Sequence, residues 1–353
     1  MTTATEDTVV RPLTSPAQRM RATMAAVRVS ISWLGVRKTL TPQQKSQAAD
    51  TFGAEGHFLS AGKKLLDTKH PVFRMVTRVR QDIQSTWRTL SLPYPEPGIR
   101  LIRVNDVDEF NRRMSGLREQ LEEAVSQLDE HYAELKSAAR QRLGSLFDPR
   151  DYPASVRGMF GVAWDFPNVE PPAYLQNLNP ALYEEECRRV AARFDDAVQL
   201  AEEAFVAELN GLVEHLLERL SGQTDGKPKI FRDSAIENLA EFFQRFRQLN
   251  VRSNDELDEL VSQAQQIVQG IQPQSLRDNN VLRQTVASEL AEARGRQGRQ
   301  PNRATARLHL VRSRWSLRLE NWDRHRSSRP QWHASKANRT VYWSSFGNIV
   351  LPG

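Results

Sequence analysis

The clearest structural signal lies in residues 117–146, which read LREQLEEAVSQLDEHYAELKSAARQRLGSL. Apolar residues recur there every three or four positions, which is the spacing of one buried face of an α-helix. Asn105 can serve as an N-cap, and Asp106, Asp108 and Glu109 place negative charge in the first turn, where the helix dipole favours it. We therefore predict one long helix over residues 105–146.

A second stretch of similar length predicts a partner for this helix. It begins near Pro180, keeps apolar side chains on one face from Val190 to Leu220, and ends at Ser221-Gly222, where glycine suits a helix C-terminus. Two amphipathic helices of equal length joined by a short connector most economically form an antiparallel pair. The sequence thus predicts a mainly α-helical protein built on a long, coiled-coil-like helical hairpin over residues 105–222.

The connector between the two helices, residues 148–179, is rich in proline and aromatic residues, whereas flexible linkers are poor in aromatics. We expect it to fold as a compact cap at the tip of the hairpin. Aromatic residues are enriched at protein interfaces, so the cap is a candidate partner-binding surface; the alternative is that it only closes the hairpin. The candidate residues are Tyr152, Phe160, Trp164, Phe166 and Tyr174.

The first 104 residues indicate a small mixed base for the hairpin. Residues 26–34 alternate apolar and polar side chains, as a half-buried strand does, and a second run from Ile99 to Val104 can pair with it. Thr41-Pro42 resembles an N-cap followed by proline at the first helical position. A clearer amphipathic helix starts at Pro71 and extends to Leu90.

Shorter helices are predicted beyond the hairpin, in residues 223–294. Asp233 can cap the first of them, and Ser253 with Glu256 has the spacing of a capping box for the second. A last helix is predicted from Leu276 to Arg294. The sequence therefore divides into four parts: 1–104, 105–222, 223–294 and an arginine- and tryptophan-rich tail over 295–353.

Charge is distributed in blocks of opposite sign, although the whole chain carries a net charge of only +6. The first 100 residues are basic, residues 101–293 are acidic, and the segment from 294 onward is strongly basic. Arginines among tryptophans suit nucleic acid, because guanidinium groups contact phosphates and indole rings stack on bases. The candidate nucleic-acid-binding residues are Arg307, Arg312, Arg314, Trp315, Arg318, Trp322, Arg324 and Arg326.

Three other interpretations of the tail stay open. Leu308, Val311, Trp315, Leu319 and Trp322 follow helical spacing, so the tail could be a basic amphipathic helix that docks on a partner or a membrane interface. It could also dock on the acidic hairpin of its own chain, or be poorly ordered.

The sequence contains no recognised motif for catalysis or for metal or cofactor binding. Gly56 and Gly62-Lys63-Lys64 resemble a phosphate-binding loop, but five residues separate the glycines where four are required. The single cysteine, Cys187, excludes an intramolecular disulfide and a multi-thiolate metal site, and we interpret it as a semi-buried structural thiol. No stretch approaches a membrane span. We expect a cytoplasmic protein without a cofactor.

Several loose motifs resemble those of an uncharacterised helical family encoded on plasmids, integrative elements and phages. They are the strand and basic stretch Val27 to Lys38, the segment Pro93 to Val104, and Asp151-Tyr152-Pro153 with Met159-Phe160 in the connector. The resemblance covers roughly residues 25–290 and includes no catalytic motif. It implies a bacterial mobile-element or phage protein of a kind often encoded near MoxR-type ATPases and von Willebrand A proteins, which are therefore its candidate partners.

These observations favour a non-enzymatic scaffold or adaptor protein that binds protein partners through the hairpin and its cap. The first alternative is a nucleic-acid-associated protein that binds through its tail. The second is an enzyme whose site is assembled from residues far apart in the sequence, which a single sequence does not reveal.

Overall fold

The computed structural model describes residues 15–297 except 222, 225–226, 229–233 and 272. The strands in this part of the chain are β1 Met24–Ser32, β2 Arg37–Thr39, β3 Gly62–Lys64, β4 Ser91–Pro93, β5 Ile99–Arg103, β6 Gly161–Asp165, β7 Gln223–Thr224 and β8 Lys227–Pro228. The helices are α1 Pro16–Thr23, α2 Pro42–Asp50, α3 Pro71–Thr89, α4 Val107–Glu130, α5 Tyr132–Leu143, α6 Tyr174–Leu178, α7 Pro180–Ser221, α8 Ser234–Leu249, α9 Asp255–Val268, α10 Pro273–Asp278 and α11 Asn280–Gln297. The protein is mainly helical, as predicted.

A four-stranded antiparallel sheet in the order β4-β5-β1-β6 lies at the centre. The predicted pairing of the first strand with the run after Gly98 is confirmed, since Ala26 of β1 lies opposite Leu101 of β5. The sheet is larger than predicted, because β4 pairs with β5 on one side and β6 pairs with β1 on the other. Two smaller ribbons pair β2 with β3 and β7 with β8.

The two faces of the sheet are covered by different helices. Successive residues of a strand point to opposite faces. Leu101 accordingly belongs to a core formed with α1, α7, α8, α9, α10 and α11, whereas Ile102 belongs to a core formed with α3, α4 and α5. Both side chains are fully buried. The protein therefore has two hydrophobic cores that share one sheet.

The predicted hairpin of residues 105–222 is not the arrangement that the structure shows. Helix α4 packs mainly on α3, while α7 packs on α1, α8 and α11 in the other core. The physical reason lies in the connector, because its strand β6 pairs with β1 and joins the sheet instead of capping a hairpin tip. Each amphipathic face is buried, but against the sheet and shorter helices.

The first predicted long helix is also divided in two. Helix α4 ends at Glu130, α5 begins at Tyr132, and the backbone of His131 between them has φ −92° and ψ 1°, outside the helical range. The second predicted helix is confirmed from Pro180 to Ser221.

Local signals at helix ends are confirmed for the two N-terminal examples. Thr41 forms a full capping box with Gln44 at the start of α2, and Pro71 is the first residue of α3. The prediction for α9 is wrong by one residue. The N-cap is Asn254, whose Oδ1 accepts a hydrogen bond from the Leu257 amide at 3.0 Å, and Ser253 precedes it.

The last predicted helix also differs in the structure. It is divided into α10 and α11 at Asn279, whose side chain accepts hydrogen bonds from the amides of Val281 and Leu282. The predicted cap of α8, Asp233, lies outside the described residues.

Candidate functional site: an arginine cleft

The predicted cap residues are distributed between the core and the surface. Tyr152 and Phe160 are buried in the core with α3 and α4, so they are not available to a partner. The Tyr152 hydroxyl donates to the Leu65 carbonyl at 2.9 Å, and Trp164 donates its Nε1 proton to Asn111 Oδ1 at 2.8 Å. Phe166 and Tyr174 are exposed.

The predicted nucleic-acid-binding residues, Arg307 to Arg326, lie outside the described residues. Binding through the tail stays a prediction.

The structure forms a cleft that the sequence did not indicate. A cavity of about 500 Å³ lies between α3, α7 and α8. This volume falls in the range of ordinary ligand pockets. Its lining combines amide, hydroxyl and charged side chains with the apolar side chains of Leu212 and Phe242. The lining residues are Gln81, Gln84, Ser85, Arg88 and Thr89 of α3, Glu208 and Leu212 of α7, and Asn238, Glu241, Phe242 and Arg245 of α8.

Arg100 of β5 lies close enough to the cleft for its charge to interact with two arginines that line it. Its Nε donates to Ser91 Oγ at 2.8 Å, and its Nη2 donates to the Ser91 carbonyl at 2.7 Å. The Ser91 hydroxyl is itself engaged with the Trp87 carbonyl. No carboxylate of the described residues pairs with Arg100. Arg100 is partly buried, so its guanidinium is removed from part of the solvent without an opposite charge from this part of the chain.

The surroundings of Arg100 disfavour its charged form and so lower its pKa. Burial, and to a smaller extent the positive charges of Arg88 and Arg245, lower the pKa of Arg100 to about 10. Arg88 is exposed and makes no ion pair with any described residue. The positive charges of Arg88 and Arg245 thus both act against the charged form of Arg100.

Within the described ranges, Arg245 alone of these three arginines has a protein counter-ion. Its Nη2 contacts the carboxylate of Glu208, and its guanidinium carbon lies 5.9 Å from the ring centroids of both Phe205 and Phe242. These contacts fix the direction in which the guanidinium points. We call Arg88, Arg100 and Arg245, with the cavity beside them, the arginine cleft.

The arginine cleft has the chemistry of a site for an anionic group. Guanidinium groups present planar pairs of donors that match carboxylate and phosphate oxygens. The site contains three arginines and two carboxylates, Glu208 and Glu241, so it has an excess of one positive charge. A bound anion would offset the repulsion that Arg88 and Arg245 exert on Arg100.

A second polar cluster holds the β2–β3 ribbon to the body of the protein. Lys63 Nζ lies 2.7 Å from Asp151 Oδ2 and donates to the Leu146 carbonyl at 2.6 Å, and Lys38 contacts the other carboxylate oxygen. The Lys63 side chain is 6% exposed and that of Asp151 is 2% exposed. Lys63 thus has a structural role, in agreement with the rejection of a phosphate-binding loop at Gly56–Lys64. Hydrogen bonds from Lys38 and Lys63, together with the charges of both lysines, lower the pKa of Asp151.

The described residues contain no group of three or more histidine, cysteine, aspartate or glutamate side chains arranged to hold a metal ion. None of their helices combines the length and the apolar character needed to cross a membrane.

Comparison with known proteins gives no relative. No protein-family model, curated protein or solved structure matches the chain.

Proposed function

We propose that this chain is a non-enzymatic adaptor that binds an acidic segment of a partner protein in the arginine cleft. The observation that carries the proposal is the position of Arg100, which is partly buried, lacks a carboxylate partner among the described residues and faces two further arginines. Like charges in such an arrangement are unfavourable unless an anion joins them.

The composition of the cleft favours a peptide carboxylate over a phosphate group. The excess of one positive charge matches a singly charged side chain better than a doubly charged phosphate. Leu212 and Phe242 offer apolar contact beside the charges, and Gln81, Gln84 and Asn238 can bond to a peptide backbone. A peptide with alternating glutamate and leucine residues meets all of these requirements.

The wider setting of this adaptor is also part of the proposal. The resemblance given above favours a protein of a bacterial mobile element or phage. A MoxR-type ATPase and a von Willebrand A protein are then the first partners to test.

The test uses the full chain and a fluorescein-labelled peptide of alternating glutamate and leucine, with binding followed by fluorescence anisotropy. Arg88→Glu reverses an exposed charge that has no ion pair among the described residues, so it should leave the fold intact. We expect its affinity for the peptide to fall at least tenfold, because a hydrogen-bonded charge contact becomes a repulsion.

Arg78→Glu is the matched control, since it makes the same change on an exposed position of the same helix outside the cleft. It should reduce the affinity much less than Arg88→Glu. Equal losses for the two variants would show that the peptide responds to overall charge, and the proposal would then be wrong.

A further inference from the structure

The segment from residue 37 to residue 64 forms a small lobe that contains five lysine or arginine residues and two carboxylates, Asp50 and Glu55. Strand β2 leads through α2 and a 3₁₀ turn over Gly56–Phe58 to β3, which returns antiparallel to β2. The Leu40 amide donates to the Ala61 carbonyl at 3.1 Å and extends the pairing beyond the strands. Gly56 lies so close to α2 that an added Cβ would be 2.8 Å from Ser46 Oγ, so the turn packs firmly on the helix.

The ribbon places like charges directly opposite each other. Arg37 pairs with Lys64, and Lys38 pairs with Lys63. Like charges at opposed positions of an antiparallel pair are destabilising. Asp151 compensates one of the two charges of the inner pair and contacts both Lys38 and Lys63. The outer pair is exposed, and no carboxylate of the described residues compensates it.

Two phenylalanines of the same lobe are almost fully exposed. Phe52, just after α2, is 81% exposed, and Phe58, in the 3₁₀ turn, is 82% exposed. They are the most exposed of the large apolar side chains in the described residues. Phe58 is four residues before Gly62, so its backbone lies within about 14 Å of the ribbon. Exposed aromatic rings and uncompensated cations therefore occur together on one lobe.

We propose that this lobe, residues 37–64, binds single-stranded nucleic acid. Aromatic rings stack on unpaired bases and cations follow the phosphates, which is the combination used by proteins that bind single strands. The exposed side chains of α2 add hydrogen-bonding groups, among them Gln43, Ser46 and Gln47. This inference goes beyond the adaptor function and uses a different surface.

A membrane surface is the competing ligand for cations and aromatic residues. Helices that lie in a membrane interface carry a wide apolar face. Helix α2 reads PQQKSQAAD and lacks such a face, since alanine is its only apolar residue apart from the N-terminal proline. The polar surface of α2 favours nucleic acid.

The test is ultraviolet crosslinking of the full chain to a labelled dT16 oligonucleotide, followed by mapping of tryptic peptides. One tryptic peptide, residues 46–63, contains both phenylalanines. We expect a crosslink in this peptide. Phe52→Ala with Phe58→Ala should remove the crosslink and weaken binding at least about thirtyfold, since two stacking contacts are lost. The two rings are exposed, so their removal should leave the fold unchanged.

A second variant tests the cations. Arg37→Gln with Lys64→Gln removes two phosphate contacts and should reduce the slope of log affinity against log salt by about 1.4. Tyr174→Ala, which removes an exposed aromatic ring outside the lobe, is the control and should change neither quantity.

Two results would overturn the inference. One is crosslinking confined to residues outside 37–64, for example to the arginine-rich tail. The other is an unchanged oligonucleotide affinity in the double phenylalanine variant together with a loss of sedimentation with phosphatidylcholine and phosphatidylserine vesicles. Arg88→Glu separates this inference from the adaptor function, because it should weaken peptide binding and leave the crosslink at residues 46–63 in place.

Discussion

Replacement of Asp151 by asparagine tests how the lobe is attached to the body of the protein. The carboxylate contacts Lys63 at 2.7 Å and also Lys38, and both it and Lys63 are almost fully buried. The variant leaves the Lys63 ammonium with the Leu146 carbonyl as its remaining contact. Breaking a buried ion pair by removal of one partner costs about 3–5 kcal/mol.

We expect a loss near the lower end of that range, about 3 kcal/mol, for two reasons. The asparagine amide oxygen can still accept one hydrogen bond, and Lys38 is 56% exposed, so water can replace its lost partner. Urea denaturation of the full chain and the variant measures the difference in the free energy of unfolding.

The same experiment has a control and a pH dependence. Asp165→Asn breaks an ion pair with Arg28 in which both side chains are about half exposed, and should cost much less than Asp151→Asn because water screens the pair. The pKa of Asp151 is lowered in the folded protein, so its stabilisation is present above the unfolded pKa of about 4 and is lost as the pH falls below it. The free energies of unfolding of the unchanged protein and the Asp151→Asn variant should therefore become more alike at acid pH. A loss below 1 kcal/mol at pH 7 would refute the reasoning.

The remaining predictions concern two capping or anchoring side chains. Asn254→Ala removes the side-chain N-cap of α9 and should lower the free energy of unfolding by about 1 kcal/mol in urea denaturation, whereas Ser253→Ala should have little effect; equal losses would contradict the assignment. Asp129→Asn weakens the acceptor of the Ser155 hydroxyl and the Val156 amide, which lower the pKa of Asp129 in that order. Its destabilisation, about 2 kcal/mol at pH 7, should decrease as the pH falls below about 4; a pH-independent difference would contradict this account.

The sequence predicted the elements of the fold better than their arrangement. The alternation from Val27 to Trp33 and the run from Ile99 are local signals, and these two strands pair as expected. The apolar face of α7 likewise revealed the helix. An amphipathic pattern shows that a helix buries one face, but it does not say against which surface. The two long helices therefore looked like mutual partners, although a sheet and shorter helices cover them.

The strand that decides the arrangement carried a weak signal. Residues 161–165 read GVAWD, which has only Val162 as a buried apolar side chain, and prolines precede and follow it. The aromatic residues around it were interpreted as an interface, whereas Tyr152 and Phe160 belong to the core. Composition does not distinguish a buried aromatic residue from an exposed one.

The arginine cleft lacked any spacing that a motif search could detect. Arg88, Arg100 and Arg245 come from α3, β5 and α8, and only the tertiary fold brings them together. One indirect signal was present, because Arg100 interrupts the apolar run of Ile99, Leu101 and Ile102. A charged residue with two hydrogen bonds in such a strand is a candidate for function.

The most direct test of the arginine cleft is a pair of measurements on Arg100→Met, which keeps the size of the side chain and removes its charge. If Arg100 is held against the repulsion of Arg88 and Arg245 in order to bind an anion, the affinity for the glutamate–leucine peptide falls at least tenfold while the free energy of unfolding changes by less than about 1 kcal/mol. An unchanged peptide affinity, together with a stability loss of about 2 kcal/mol or more, would show that Arg100 serves only its hydrogen bonds to Ser91 and would contradict the account.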